Sequence, residues 1–164
     1  MSVSASFLSV LHQIHAALRE RDILWAITGS TSFALRGLPF SPNDIDLQTD
    51  TPGAYAIEQA LRPFVVQPVT FSSTARIRSH FGRLKVEGIT VEIMGDMEKW
   101  VNGRWEPSPD ISHHREFITV NGLELPVLSL AHEQEAYEKM GRRETAVILQ
   151  QWLNKTTPLK DQNE

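Results

Sequence analysis

The tightest constraint on this chain lies between residues 23 and 48. Ile23-Leu24-Trp25-Ala26-Ile27 is a short, almost wholly apolar run stopped at Thr28-Gly29, which suits a strand buried on both faces. Gly29 turns the chain. Ser30-Thr31-Ser32-Phe33-Ala34-Leu35-Arg36 then begins with cap-type hydroxyls and runs to Gly37, so a short helix follows directly. Beyond a loop enclosed by Pro39 and Pro42, Asp44-Ile45-Asp46-Leu47-Gln48 alternates polar and apolar and reads as a second strand with one wet face. Strand, glycine turn, helix and acid-bearing strand together call for a sheet with helices laid on it.

The rest of the chain supplies those elements. Phe7, Leu11, Ile14 and Leu18 recur at helical spacing and predict an amphipathic helix that ends at Arg21-Asp22. Thr51-Pro52, as cap and first-turn proline, opens a helix through Leu61. Further strands are expected over 64–71, 83–86 and 89–94, the last two joined tightly by Glu87-Gly88. Asn102-Gly103 and Asn121-Gly122 accept the positive φ values of type I′ turns and predict two more hairpins. From about Ser129 the pattern turns helical, over 129–140 and 142–153 with a break at Gly141. The reading is α/β (α+β): one domain over 1–154, a small mixed β-sheet flanked by helices, two C-terminal helices over about 129–154, and a flexible tail over 155–164.

Bulk properties exclude several classes. At 164 residues the chain can bury roughly 70% of its unfolded surface in one core. Without cysteine it has neither a disulfide framework nor a thiolate metal site. A net charge of -4 argues against a broad basic surface for nucleic acid. No stretch approaches the ~20 apolar residues that span a bilayer. The N-terminus lacks the pattern of a secretory signal, so the expected location is the cytoplasm, away from membranes.

The chemistry gathers on acids. In a strand, Asp44 and Asp46 project to one face while Ile45 and Leu47 face the core. At an effective dielectric of ~20, two such charges ~5 Å apart repel by roughly 3 kcal/mol. Mg²⁺ relieves that cost and prefers a few carboxylates, waters and phosphate oxygens. Val91-Glu92-Ile93 again sets one acid between two apolar residues, on a strand that could lie beside the first. Asp96 competes for the third place, although Gly95 before it suits a cap for the next segment.

Gly29-Ser30, a helix containing Ala34-Leu35, Gly37-Leu38-Pro39 and Asp44-Ile45-Asp46-Leu47 resemble the signature of the DNA-polymerase-β-like nucleotidyltransferase superfamily. The likeness is nearest to its minimal bacterial members, of the lincosamide and aminoglycoside nucleotidyltransferase and abortive-infection toxin type, and covers roughly residues 25–153. Tyr137, Lys139, Gly141 and Arg142-Arg143 are similar to the closing helices of those proteins. The resemblance implies Mg²⁺, two ions, on Asp44, Asp46 and Glu92, with Asp44 and Asp46 ligating both and Glu92 one. It implies a nucleoside triphosphate as substrate, with Gly29 and Ser30 at the triphosphate and Arg36, Lys139 and Arg142 as further nucleotide contacts. For Arg36 an ion pair, and for Lys139 and Arg142 a surface role, are the competing readings. The reaction implied is transfer of a nucleoside monophosphate to a hydroxyl of an acceptor, whether small molecule, RNA or protein. Gly29-Ser30 departs from the glycine pair commoner in the antibiotic-modifying branch, and no separate acceptor-activating acid stands out.

Two rival readings keep the same residues: a silent nucleotide- or metal-binding module of the toxin–antitoxin regulatory kind, and a metal-dependent phosphohydrolase. His113-His114 has no third ligand at a suggestive spacing and reads as polar loop. Trp100 and Trp105 flank a turn and read as a cross-strand pair. Glu133, Glu135 and Glu138 are expected on a solvated helix face.

Overall fold

The structure is a computed structural model, and it describes residues 3–156. Helix α1 (Ala5–Leu18) is capped by the Ser4 hydroxyl, which accepts from the Phe7 amide, and it buries Val10, Leu11, Ile14 and Leu18 as their spacing requires. Strand β1 (Trp25–Thr28) is buried throughout. It starts two residues later than the apolar run, because the Ile23 amide is turned back onto the Arg21 carbonyl at 2.9 Å. Helix α2 (Gly29–Leu35) follows without a linker, and Gly29 has a φ of 71°, a left-handed conformation that side chains resist.

Strand β2 (Ile45–Thr49) begins one residue after Asp44, and both Gln48 and Thr49 are buried. The wet face expected there therefore closes beyond Asp46. The buried Gln48 amide donates to the Thr28 hydroxyl, and the Thr49 hydroxyl donates to the Leu24 carbonyl. Helix α3 (Thr51–Ala60) is capped by Asp50, not by Thr51: the Asp50 carboxylate accepts from the Gly53 amide at 2.7 Å.

After a 3₁₀ turn over Arg62–Phe64 come β3 (Val65–Ser73), β4 (Ile77–Val86), β5 (Ile89–Val101) and β6 (Arg104–Glu106). Both β4 and β5 outrun their expected lengths. A short helix α4 (Ile111–His114) leads to β7 (Arg115–Val120) and β8 (Leu123–Leu128). Each of the three expected tight turns has two consecutive residues at positive φ: Glu87-Gly88, Asn102-Gly103 and Asn121-Gly122. Trp100 and Trp105 pair across the second of them, with rings edge to face at 5.3 Å.

The eight strands form one mixed sheet in the order β3-β4-β5-β2-β1-β8-β7, with β6 beside β5. Strand β2 runs parallel to β5 and antiparallel to β1, and β1 runs parallel to β8. Ile27, Ile45, Leu47, Val91 and Ile93 join Leu11, Ile14, Leu18, Ala54 and Ile57 in one buried cluster, so α1 and α3 cover one face of the sheet. Gly95 permits the close approach of α3: a Cβ there would lie 2.8 Å from both the Asp50 carbonyl and the Ala54 methyl.

The chain divides into two compact units, Met1–Leu128 and Ser129–Glu164. The first holds the whole sheet. The second holds α5 (Leu130–Lys139), capped by Ser129, and α6 (Arg143–Thr156), separated by Gly141 at a φ of 74°. Glu133 is only 3% exposed, which corrects its expected place on a solvated face with Glu135 and Glu138. The tail expected over 155–164 lies outside the described residues from 157 onward, and residues 155 and 156 end α6. Among the described residues no helix is long and apolar enough to cross a membrane.

Candidate active site

The sheet assembles an acidic site by register. Strands β2 and β5 pair in parallel as Ile45 with Val91, Asp46 with Glu92 and Leu47 with Ile93. Since Ile45, Leu47, Val91 and Ile93 all enter the core, alternation sends Asp46 and Glu92 together to the opposite face. Asp44 joins them from just ahead of β2. One oxygen from each of Asp44, Asp46 and Glu92 lies within 4.8 Å of the others, and all three residues are partly exposed.

Hard carboxylate oxygens in a half-open cluster of this size fit a small divalent cation that keeps several waters and phosphate oxygens as its remaining ligands. The donor set thus suits Mg²⁺. Asp96, the competing third acid, stands elsewhere: it accepts from the Thr51 amide at 2.7 Å, from the Thr51 hydroxyl at 2.5 Å and from the Ser108 hydroxyl at 3.2 Å. Those bonds also correct its expected role. Asp96 secures the start of α3, behind it in sequence, from within β5 and at a φ of 47°.

The glycine turn lies beside the cluster. Thr28 pairs with Asp46 across β1 and β2, so Gly29 and Ser30 follow at the edge of the acids. Two hydroxyls brace this corner. Thr31 donates to the Asp44 carbonyl at 2.6 Å, and Ser32 donates to the Gly29 carbonyl at 2.8 Å. Both residues are buried, whereas Ser30 is partly exposed.

The remaining expected nucleotide contacts have partners of their own. Arg36, at the end of α2, is ion-paired with Glu116 on β7 and donates to the Leu128 carbonyl at 3.2 Å. In the second unit, Lys139 pairs with Glu135 at 3.1 Å, and the Arg142 guanidinium stacks 4.7 Å from the Tyr137 ring centre. Of the two histidines, His113 lies 3.5 Å from Asp110, whose carboxyl is held below its ordinary range chiefly by the Ser112 hydroxyl.

Sequence reasoning missed Arg83. It stands directly across from Glu92 in the β4–β5 pairing and donates from Nε to Glu92 Oε1 at 3.1 Å, with Nη1 donating to Gln67 Oε1 at 3.1 Å. The signal was present: a two-residue turn at Glu87-Gly88 fixes the register, and counting back from Val86 opposite Ile89 reaches Arg83 opposite Glu92.

Comparison with known proteins bears on the family and the fold. No curated protein sequence matches the chain. A crystal structure of a candidate nucleotidyltransferase from Thermotoga maritima is 46% identical, covers 93% of this chain and 96% of its own, and superposes with a TM-score of 0.82. ANT(2″)-Ia, solved in complex with adenylyl-2″-tobramycin, shares the fold at 13% identity and a TM-score of 0.57, over 89% of this chain and 88% of its own. The solution structure of the antibiotic-resistance factor ANT(2″)-Ia gives 0.56 at 13% identity, over 96% and 77%. The sequence model of the aminoglycoside-2″-adenylyltransferase family matches residues 10–151, and the chain belongs to that family, within the nucleotidyltransferase superfamily.

Proposed function

We propose that this chain transfers a nucleoside monophosphate, with ATP as donor, to a hydroxyl of a small-molecule acceptor, using Mg²⁺ held by Asp44, Asp46 and Glu92. The observation that carries this reading is the convergence of the three carboxylates within 4.8 Å on one face of the sheet. The donor base and the kind of acceptor are taken from the family name and from the adenylylated tobramycin bound to ANT(2″)-Ia.

In the proposed reaction the acceptor oxygen attacks the α-phosphorus in line. A new oxygen–phosphorus bond forms as the bond to the bridging oxygen breaks, pyrophosphate leaves with that electron pair, and the acceptor proton passes to a carboxylate of the cluster. When bound, the metal lowers the pKa of the attacking hydroxyl and neutralises charge on the leaving phosphates. Gly29 and Ser30 offer backbone amides to the triphosphate beside Asp46, where the glycine leaves room for phosphate to approach. This reading needs only residues of the first unit.

The test is incubation with Mg²⁺, each of the four common NTPs in turn, and tobramycin as a trial acceptor, followed by assay of pyrophosphate and mass analysis of the acceptor. Pyrophosphate with an acceptor gaining one AMP supports the reading. Release of inorganic phosphate alone would show a phosphohydrolase, NTP binding in a titration with no product formed would show a silent module, and absence of NTP binding would overturn the reading.

A further inference from the structure

Arg83 lies one carboxylate away from the proposed ion and takes no part in the proposed reaction. Its guanidinium is fixed on three sides: Nε donates to Glu92, Nη1 donates to Gln67, and the group lies 5.1 Å from the Phe81 ring centre. Its side chain is 45% exposed and that of Glu92 23%, so the pair sits at the mouth of the site and not in the core. A cation so held acts on a neighbouring divalent ion in two opposed ways. It fixes the orientation of a carboxylate ligand, and its own charge repels the ion. Solvent screens both effects, but a divalent ion doubles the Coulomb term while restricting one glutamate rotamer is worth comparatively little, so the repulsion is the larger of the two.

Resting on the nucleotidyltransferase reading, we propose that Arg83 is a positioning and charge-balancing residue of the acid site. It holds Glu92 in place, offsets the repulsion among the three carboxylates when no ion is bound, and keeps affinity for a free divalent ion low. A triphosphate brings several negative charges of its own, which outweigh the single guanidinium. The ion is therefore captured together with the nucleotide and not ahead of it.

The test uses Mn²⁺ as a spectroscopic probe, with binding followed by electron paramagnetic resonance on the full chain without nucleotide. Arg83→Gln, which keeps a donor for Glu92 but removes the charge, is expected to bind Mn²⁺ about tenfold tighter than the parent. Arg83→Lys, which keeps the charge, is expected to bind at the parental level. With ATP present the three proteins should differ in Mn²⁺ affinity by less than about threefold, since the nucleotide's charge dominates. Equal or weaker Mn²⁺ binding by Arg83→Gln overturns the proposal, as does Arg83→Lys behaving like Arg83→Gln. Melting curves of each variant confirm that a folded protein is being titrated. Asp46→Asn separates the two levels. If the parent binds Mn²⁺ with ATP and Asp46→Asn does not, the reading of the site stands whatever Arg83 does. If neither protein binds Mn²⁺ even with ATP, the site reading and this proposal fall together.

Discussion

Two acidic centres lie a few residues apart on the same pair of strands and are built on opposite principles. At one, Asp44, Asp46 and Glu92 turn their oxygens toward one another. At the other, Asp50 and Asp96 turn theirs toward donors: Asp50 to the Gly53 amide, Asp96 to the Thr51 amide and hydroxyl and to Ser108. The second centre stabilises the chain, because each carboxylate completes hydrogen bonds that the start of α3 would otherwise lack. The first gathers like charges that repel one another, offset at Glu92 by Arg83, and such arrangements persist where a ligand uses them. Residue type cannot separate the two, since aspartates serve both. Only the direction of the oxygens does.

Substitutions can break this contrast, and the largest effect is expected on activity. Asp46→Asn should lower turnover at least ~10²-fold in the transferase assay, because the removed charge holds the proposed metal in the transition state. Asp44→Asn, at an acid with no hydrogen bond or ion pair of its side chain among the described residues, should cost activity similarly. Its metal-free melting temperature should stay level or rise as repulsion is relieved. A fall of several degrees would mean that Asp44 is structural and that the contrast is misdrawn. Next in size, Asp96→Ala should lose about 3 kcal/mol in chemical denaturation through its three hydrogen bonds and its left-handed backbone. The folded fraction should keep its rate. Asp50→Ala should lose about 1 kcal/mol, the usual cost of an N-cap, again without a change in turnover. If either of these last two abolished Mg²⁺-dependent activity in folded protein, the second centre would belong to the site.

Much of the fold and of the acid site is legible in the sequence, and the failures have local causes. Asp46 and Glu92 each stand between apolar neighbours, and that alternation alone places both on the face away from the core. The Glu87-Gly88 turn locates the β4–β5 hairpin, but the residue pattern marks β4 only from Arg83 onward. Residues 77–82 alternate around Arg78 and His80, whose neighbours do not form a clean apolar series. The pattern also ends β5 at Met94, because glycine followed by aspartate is ordinarily a turn signal. Here Gly95 is required by the approach of α3, and Asp96 takes a positive φ inside the strand, where β4 and β5 slip register between Arg78 and His80. Thr51-Pro52 has the look of a cap because threonine is a frequent one, yet Asp50 just before it fills that role. Glu133 escapes notice because a helical pattern rich in glutamate carries no mark of which one is buried.

The in-register pairing of β2 with β5 has one more consequence, concerning assembly errors. Slipping β5 by a single residue would carry Glu92 to the covered face and bring Val91 and Ile93 out to water. The mistake that scatters the carboxylates is thus also the mistake that exposes sticky, protease-accessible apolar surface. Misassembled copies would be the ones cleared, so the greasy side of the sheet proofreads its charged side.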